Sequence, residues 1–356
     1  MSSPKRILVL RNEDSPGTVR AQQLEPLHRF ETRLRMEAKL TFEHAYAPTL
    51  EAIESTVSAF TGDVAFVMVH FSHDPNQVRA MFERLHARND RPALVFHDCF
   101  DQSASLFWDS LPFVDRYAKK ILLRDLSSYE RPTFGGFVVS DYLREHGFDY
   151  PEGWRAGVTM PAGPDPSKIV LAWNFAAAGA YATRAGQARL LQWLRRPIDL
   201  NVRFAPTADA PNDWYKRYRL MALDAARRVP GVRLSGTDRV GRWRYGWDQL
   251  RSRAILSPFG HGEICLRDIE AFAAGAALIK PSVEHLRISG NFFEPGVTYV
   301  PVKWDFSDLP EATSALLADS HKITRMTREA RRRFDIYQAN GWFDDVVRVF
   351  DGLERY

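Results

Sequence analysis

The chain is poor in several things that would each point to a definite class of protein. Only two cysteines, Cys99 and Cys265, occur in 356 residues. That excludes a disulfide framework and a four-thiolate metal site. No apolar run approaches the ~18 residues needed to cross a bilayer. The opening MSSPKRILVLRN lacks the long apolar core of a signal peptide, and no N-x-S/T sequon is present. Together these lead us to expect a cytoplasmic protein. There is no G-x-x-x-x-G-K-[ST] loop, no G-x-G-x-x-G after the first apolar segment, and no G-x-S-x-G elbow. P-loop nucleotide hydrolysis, dinucleotide-dependent redox chemistry and the serine-hydrolase elbow therefore have no support.

What is present suits two packed cores. Hydrophobic residues make up 45% and charged residues 26%, which excludes a disordered chain. The net charge of +4 is mild for this length and fits acidic small molecules or an anionic membrane surface better than a dedicated DNA binder. Nucleic acid is accordingly not an expected partner.

Short apolar runs alternate with helical spacing through the first half. Lys5 to Arg11, Val64 to Phe71, Pro92 to Phe96 and Lys119 to Leu123 read as buried parallel strands. Thr49 to Phe60 and Asn76 to Ala87 read as the helices between them. Four prolines in 148–168 mark a linker. A second alternating set follows, with strands at Ile169 to Trp173, Asp199 to Phe204, Val232 to Leu234 and Ala254 to Ser257. Arg184 to Leu194 and Trp214 to Arg228 supply helices. The pattern predicts an α/β protein with two doubly wound, Rossmann-like domains, 1–155 and 156–335. A C-terminal amphipathic helix within 336–356 completes it.

The stretch Ser257 to Pro281, SPFGHGEICLRDIEAFAAGAALIKP, is the most informative. It parses as strand end, glycine loop, helix, glycine stop and strand. Gly260 and Gly262 flank His261 and allow backbone to approach a ligand. The helix is expected to begin near Glu263 and to end before Gly275. Its N-terminus offers unpaired N–H groups to an anion. Glu263, Arg267 and Glu270 then fall at i, i+4 and i+7 on one face of a mostly apolar helix, where unpaired charge is costly unless it meets a ligand. Arg267 suits a diphosphate, and Glu270 a ribose diol. The plainer alternative is an exposed Arg–Glu ion pair, with Glu263 serving the helix terminus electrostatically.

This stretch resembles the nucleotide-binding region of glycosyltransferases with the GT-B fold. Glu270-Ala271-Phe272-Ala273-Ala274-Gly275 matches their E-A-x-A-x-G helix, and Arg267 to Ala271 is similar to exostosin-like and CgeB-like members. Phe293 to Tyr299 followed by Trp304 to Leu309 continues the likeness. The resemblance implies two domains facing a central cleft, a nucleotide-diphosphate sugar as co-substrate without a metal or other cofactor, and a glycan or small-molecule acceptor. It implies that Glu270 binds ribose and Arg267 the diphosphate, with Gly260, His261, Gly262 and Glu263 around them. It further implies that the terminal helix crosses back to the first domain. Many retaining members carry two glutamates eight positions apart; here Gly262 stands where the first would be. A sugar-nucleotide 2-epimerase and a degenerate nucleotide or glycan binder are the alternative readings.

A catalytic base is sought at strand C-termini of the first half, among Asp14, His70, His73, His97, Asp98 and Asp101. Asp98 and His97 rank first because they directly follow the strand Pro92 to Phe96. Trp173, Asn174 and Arg203 are candidates to border the donor. His70-x-x-His73 sits in strand-and-loop context, which argues against a metal. The aromatic and basic run Trp214 to Arg219 reads as a solvated helix face. So does the basic helix Lys322 to Arg333, for which contact with phospholipid headgroups is the second reading.

Overall fold

The computed structural model describes residues 3–12, 23–134, 136, 138–147, 157–174, 185–188, 195–204 and 214–356. Two parallel sheets organise them. The first has the order β2-β1-β3-β4-β5-β7 and the second the order β12-β10-β9-β8. The strands are β1 (Lys5–Arg11), β2 (Leu40–Tyr46), β3 (Val64–Met68), β4 (Ala93–Asp98), β5 (Arg116–Lys119), β6 (Leu122–Leu123), β7 (Ile169–Leu171), β8 (Ile198–Asn201), β9 (Ser252–Leu256), β10 (Ala277–Pro281), β11 (Leu286–Arg287) and β12 (Tyr299–Val302). The helices are α1 (Glu25–Arg29), α2 (Glu31–Glu37), α3 (Leu50–Ala59), α4 (Pro75–His86), α5 (Val138–Glu145), α6 (Trp214–Arg227), α7 (Arg242–Leu250), α8 (Leu266–Ala274), α9 (Leu309–Ala318), α10 (Ser320–Ile336) and α11 (Trp342–Phe350).

The expected α/β class with two Rossmann-like halves is what the chain adopts. Central strands β3 and β4 are buried along their whole length, the signature of a sheet covered on both faces. Four details differ from the sequence reading. Strand β2 was not expected; its residues Thr41, Glu43 and His44 lie on a partly exposed edge, so no apolar run announces it. Lys119 to Leu123 is not one strand but the end of β5 and a separate β6. Ile169–Leu171 does not open the second sheet; it pairs with β5 and closes the first. Val232 to Leu234 contributes a single bridge, Leu200 to Leu234. Of the expected helix Arg184 to Leu194, only 185–188 lie among the described residues, and they are helical. The linker residues 148–156 lie outside them.

The two lobes are stitched together. β6 of the first pairs antiparallel with β11, which leaves the second sheet's β10. Arg124 donates to the carbonyls of Glu284 and Leu286. Helix α11 packs on the first lobe: the Phe350 ring lies 5.4 Å from Phe66 and 5.7 Å from Phe42, and Lys5 Nζ donates to the Phe350 carbonyl at 3.0 Å. Among the described residues no helix is long and apolar enough to cross a membrane.

Candidate functional site

Parallel sheets gather ligands beyond the C-terminal ends of their strands. Here those ends face each other, and a cavity of about 390 Å³ lies between the lobes. Asp101, Lys120 and Ile121 line it from the first lobe; Arg219, Tyr245, Arg267 and Glu270 line it from the second. The glycine loop Gly260–Gly262 forms part of its wall.

The loop after β9 is shaped by buried polar groups. Asp268, fully buried, accepts from the Cys265 amide at 2.9 Å and the Ser257 hydroxyl at 2.5 Å. Lys280 stands 3.2 Å from the Asp268 carboxylate and donates to the Glu263 carbonyl at 2.7 Å. Capping by Asp268 places the first residue of α8 at Leu266. The helix thus begins later than expected, and Glu263 is not on its charged face. That correction has a clear cause: an internal carboxylate three residues into the helix caps it better than Glu263 could. At the other end Gly275 adopts a left-handed φ of +64° and stops the helix.

Glu263 turns away from the cavity and is fully buried between the lobes. The Ser103 amide and hydroxyl both donate to its carboxylate. Burial pushes its carboxyl up to about 7, with the Ser103 bonds opposing. Next to it, Gly262 packs so tightly that a Cβ would stand 1.9 Å from the Asp101 carbonyl oxygen. His261 is exposed and borders the cavity.

Arg267 and Glu270, one turn apart on α8, both face the cavity. Arg267 Nη1 lies 3.3 Å from the Ser257 hydroxyl, and its guanidinium sits over the Phe204 ring. Its Nε is buried with no partner among the described residues. Glu270 Oε2 accepts from the Tyr245 hydroxyl at 2.6 Å and from Gln249 Nε2 at 2.9 Å. One carboxylate oxygen is thereby fixed by α7. Lys120, nearly buried, pairs with the half-exposed Asp101 at 2.5 Å. A side chamber of about 270 Å³ shares Arg219, Tyr245 and Arg267 with the main cavity and is closed by Arg203, Phe204 and Asp238.

The residues ranked first as a base do not reach this cavity. His97 is fully buried in a cluster of rings, 5.1 Å from Phe66 and 5.3 Å from Trp173, which themselves stack at 5.9 Å. Burial pushes it down to about 3, so the ring is a neutral core group at ordinary pH. Asp98 is buried in an ion pair with Lys119 at 3.2 Å and accepts from the Tyr117 hydroxyl at 3.0 Å. Burial would raise its carboxyl, but the Lys119 ammonium, with hydrogen bonds from Ser105 and the Phe100 amide, outweighs it and holds it low. Both were expected just beyond the strand, but they are the last two residues of β4, paired with Ala118 and Lys119 of β5, and their side chains are buried. Trp173 is likewise buried. Asn174 lines the main cavity and Arg203 the side chamber, where it pairs with Asp248 at 2.6 Å. Asn12 bridges the His70 amide and His73 Nε2, outside the cavity wall. No three metal-ligating side chains gather among the described residues. Asp14 lies outside them.

Lys120, Arg219 and Tyr245 went unnoticed in the sequence. Arg219 belongs to a run read as solvated; its described neighbours Lys216 and Arg217 are half-buried and Tyr218 is buried, which the local sequence does not mark.

No protein-family model matches the chain, and no curated protein sequence does. Among solved structures, one described as trehalose-6-phosphate from E. coli bound with UDP-2-fluoro glucose is similar at 10% identity, covering 99% of this chain and 100% of that one, with a TM-score of 0.51. An alpha-glucosyltransferase in complex with UDP and a 13-mer DNA is similar at 9% identity over 98% and 99% of the two chains, TM-score 0.47. A UDP-N-acetylglucosamine 2-epimerase is similar at 10% identity over 96% and 97%, TM-score 0.42. Likeness at such low identity concerns architecture, and the architecture is the GT-B arrangement of two Rossmann-like halves.

Proposed function

We propose that this chain is a glycosyltransferase that moves a sugar from a nucleotide-diphosphate sugar to a hydroxyl-bearing acceptor, with the diphosphate's charge met by side chains rather than by a metal. One observation carries the reading: Arg267 and Glu270 turn into a cavity that both lobes wall. Arg267, Arg219 and the N-terminus of α8 supply positive charge to one side of it. As the bond to the sugar breaks, negative charge grows on the departing diphosphate, and these groups stabilise it in a site from which water is largely excluded. Glu270, its Oε2 held by Tyr245 and Gln249, has its other oxygen for a ribose diol. The side chamber beside Phe204 offers room for the base.

On the acceptor side, Asp101 replaces Asp98 and His97 as the group we assign to the base. It lines the cavity from the first lobe, and it was among the strand-end acids named from sequence. Lys120 pairs with it and orients it. Kinship with exostosin-like or CgeB-like members rests on the Arg267 to Ala271 stretch alone.

The test is calorimetric titration of nucleoside diphosphates into the wild type and into Arg267→Ala and Glu270→Ala. Each variant should lose at least tenfold in affinity, the ~1.4 kcal/mol scale of a lost charged contact. Wild-type affinity in both discards the assignment. Sugar appearing on an added acceptor, rather than inverted at C2 in its absence, separates transfer from epimerisation; nucleotide released with neither is slow donor hydrolysis and still marks a catalyst, whereas binding with no nucleotide release leaves only a binder.

A further inference from the structure

Helix α10 carries arginines that the interlobe cavity does not use. Part of its surface borders a separate hollow of about 890 Å³, walled also by Arg196, Arg253 and the end of α8 at Ala274 and Gly275. Arg196 precedes β8, Arg253 begins β9 and Gly275 precedes β10. The hollow therefore lies at the N-terminal edge of the second sheet, opposite the cleft.

Its charge is one-sided. Arg196, Arg253, Arg328, Arg331 and Arg332 line it, with Asp335 as the carboxylate among the lining residues. Arg253 is met by Asp199 at 3.2 Å and Arg332 by Glu329 at 2.7 Å. Arg196, Arg328 and Arg331 face no carboxylate within ion-pair distance among the described residues. Arg196 donates to the Ala274 carbonyl at 2.9 Å, and Arg331 to the Ala273 carbonyl at 2.7 Å. Those bonds cap the last turn of α8 but leave two half-buried guanidiniums close together. Burial, then the charge of Arg331, holds Arg196 below the usual arginine range. Arg331 Nε is buried without a partner among the described residues. Arg328 stands exposed at the rim.

The geometry points to an anion site in this hollow, of a charge and donor set suited to a phosphate monoester. Such a group is close to dianionic at neutral pH and offers three acceptor oxygens to fork-shaped donors. It answers the uncompensated guanidiniums more fully than helix carbonyls do. The phosphate has two possible sources with the same chemistry, a soluble phosphorylated metabolite or a lipid headgroup. The basic face of α10 continues from the hollow through Arg325 and Arg328 to solvent, so either can reach it.

Inorganic phosphate titrated calorimetrically into the full chain, and flotation with phosphatidylcholine vesicles containing phosphatidic acid, form the two arms. Each is run on wild type, Arg328→Glu and Arg267→Ala. Arg328 is exposed, so its replacement leaves the melting temperature unchanged and any lost binding is local. A phosphate-binding event that survives Arg267→Ala and falls at least tenfold in Arg328→Glu supports the site with a soluble ligand. Flotation on the acidic vesicles, absent on pure phosphatidylcholine and abolished by Arg328→Glu, supports it with a headgroup. If Arg328→Glu changes neither readout, the arginines serve only to cap α8 and the site is rejected. Loss in Arg267→Ala alone speaks to the cleft and leaves this hollow without a ligand, which also rejects it.

Discussion

Glu263 and Ser103 meet across the two lobes, 160 positions apart, with the serine's amide and hydroxyl both donating to the buried carboxylate. The pair joins the glycine loop of the second lobe to the loop beyond β4 of the first. Lys119 and His285 face the same carboxylate, His285 Nε2 at 4.0 Å, and Lys280 holds its backbone carbonyl. The loop that borders the cavity is therefore positioned by the opposite lobe.

A dependence of stability on pH follows. Burial raises Glu263 from an ordinary 4.5 to about 7. Between those values the folded chain keeps a proton that the unfolded chain has released. Its contribution to stability is thus complete below pH 4.5 and is lost as pH rises through about 7. His97 and His285, held down to about 3 and about 4 by burial, slope the other way as pH falls below 6.5. The difference between wild type and Glu263→Gln isolates the first effect. In urea unfolding that difference should shift by an amount on the order of 3 kcal/mol between pH 4.5 and 7.5, in the direction of a relatively less stable wild type at high pH. A flat difference shows that Glu263 does not titrate in this window.

Gly262 leaves no space for a side chain, since a Cβ would meet backbone rather than a flexible tip. Gly262→Ala must force the loop off Asp101. We expect a loss of about 1–3 kcal/mol in stability, seen as a lower melting temperature, with weaker nucleotide binding alongside it. Gly163, which has open space around it, serves as a control for loop glycines only in packing, because its positive φ adds strain of its own.

Tyr245 acts on the ligand through Glu270. Tyr245→Phe removes the 2.6 Å bond to Oε2 and leaves Gln249 as its remaining donor, without altering the carboxylate's charge. Affinity for a nucleoside diphosphate should fall about twofold to tenfold, less than in Glu270→Ala, matching ~0.5–1.5 kcal/mol for one hydrogen bond. A deficit equal to that of Glu270→Ala would mean that the tyrosine touches the ligand itself.

His97 and Asp98 separate core from site. His97→Phe keeps a flat ring against Phe66 and Trp173 and should leave nucleotide affinity and sugar transfer unchanged. Asp98→Ala leaves Lys119 buried without its counter-charge and should cost about 3–5 kcal/mol in chemical denaturation. Abolished transfer in a well-folded His97→Phe chain would restore the histidine to the reaction.

Much of this architecture was readable along the chain. β1, β3 and β4 appear as apolar runs because strands buried on both faces must be apolar throughout. Arg267 and Glu270 stood out because charge on a greasy helix needs a reason. β2 did not, since an edge strand tolerates Glu43 and His44. Strand β7 was given to the wrong half: three apolar residues carry no mark of the sheet they will join.

The amino-acid order by itself determined the alternation of strands and helices, the glycine stop at Gly275 and the polar stripe of α8, all of which arise from interactions within a few residues. Only the tertiary structure decided that Glu263 would be sealed against Ser103, that Asp98 would pair with Lys119 inside a sheet, and that Lys120 and Arg219 would line one cleft from opposite lobes. Whether a carboxylate at a strand end becomes a base, a cap or a buried ion depends on which distant groups desolvate and pair it, and those groups are brought together by folding alone.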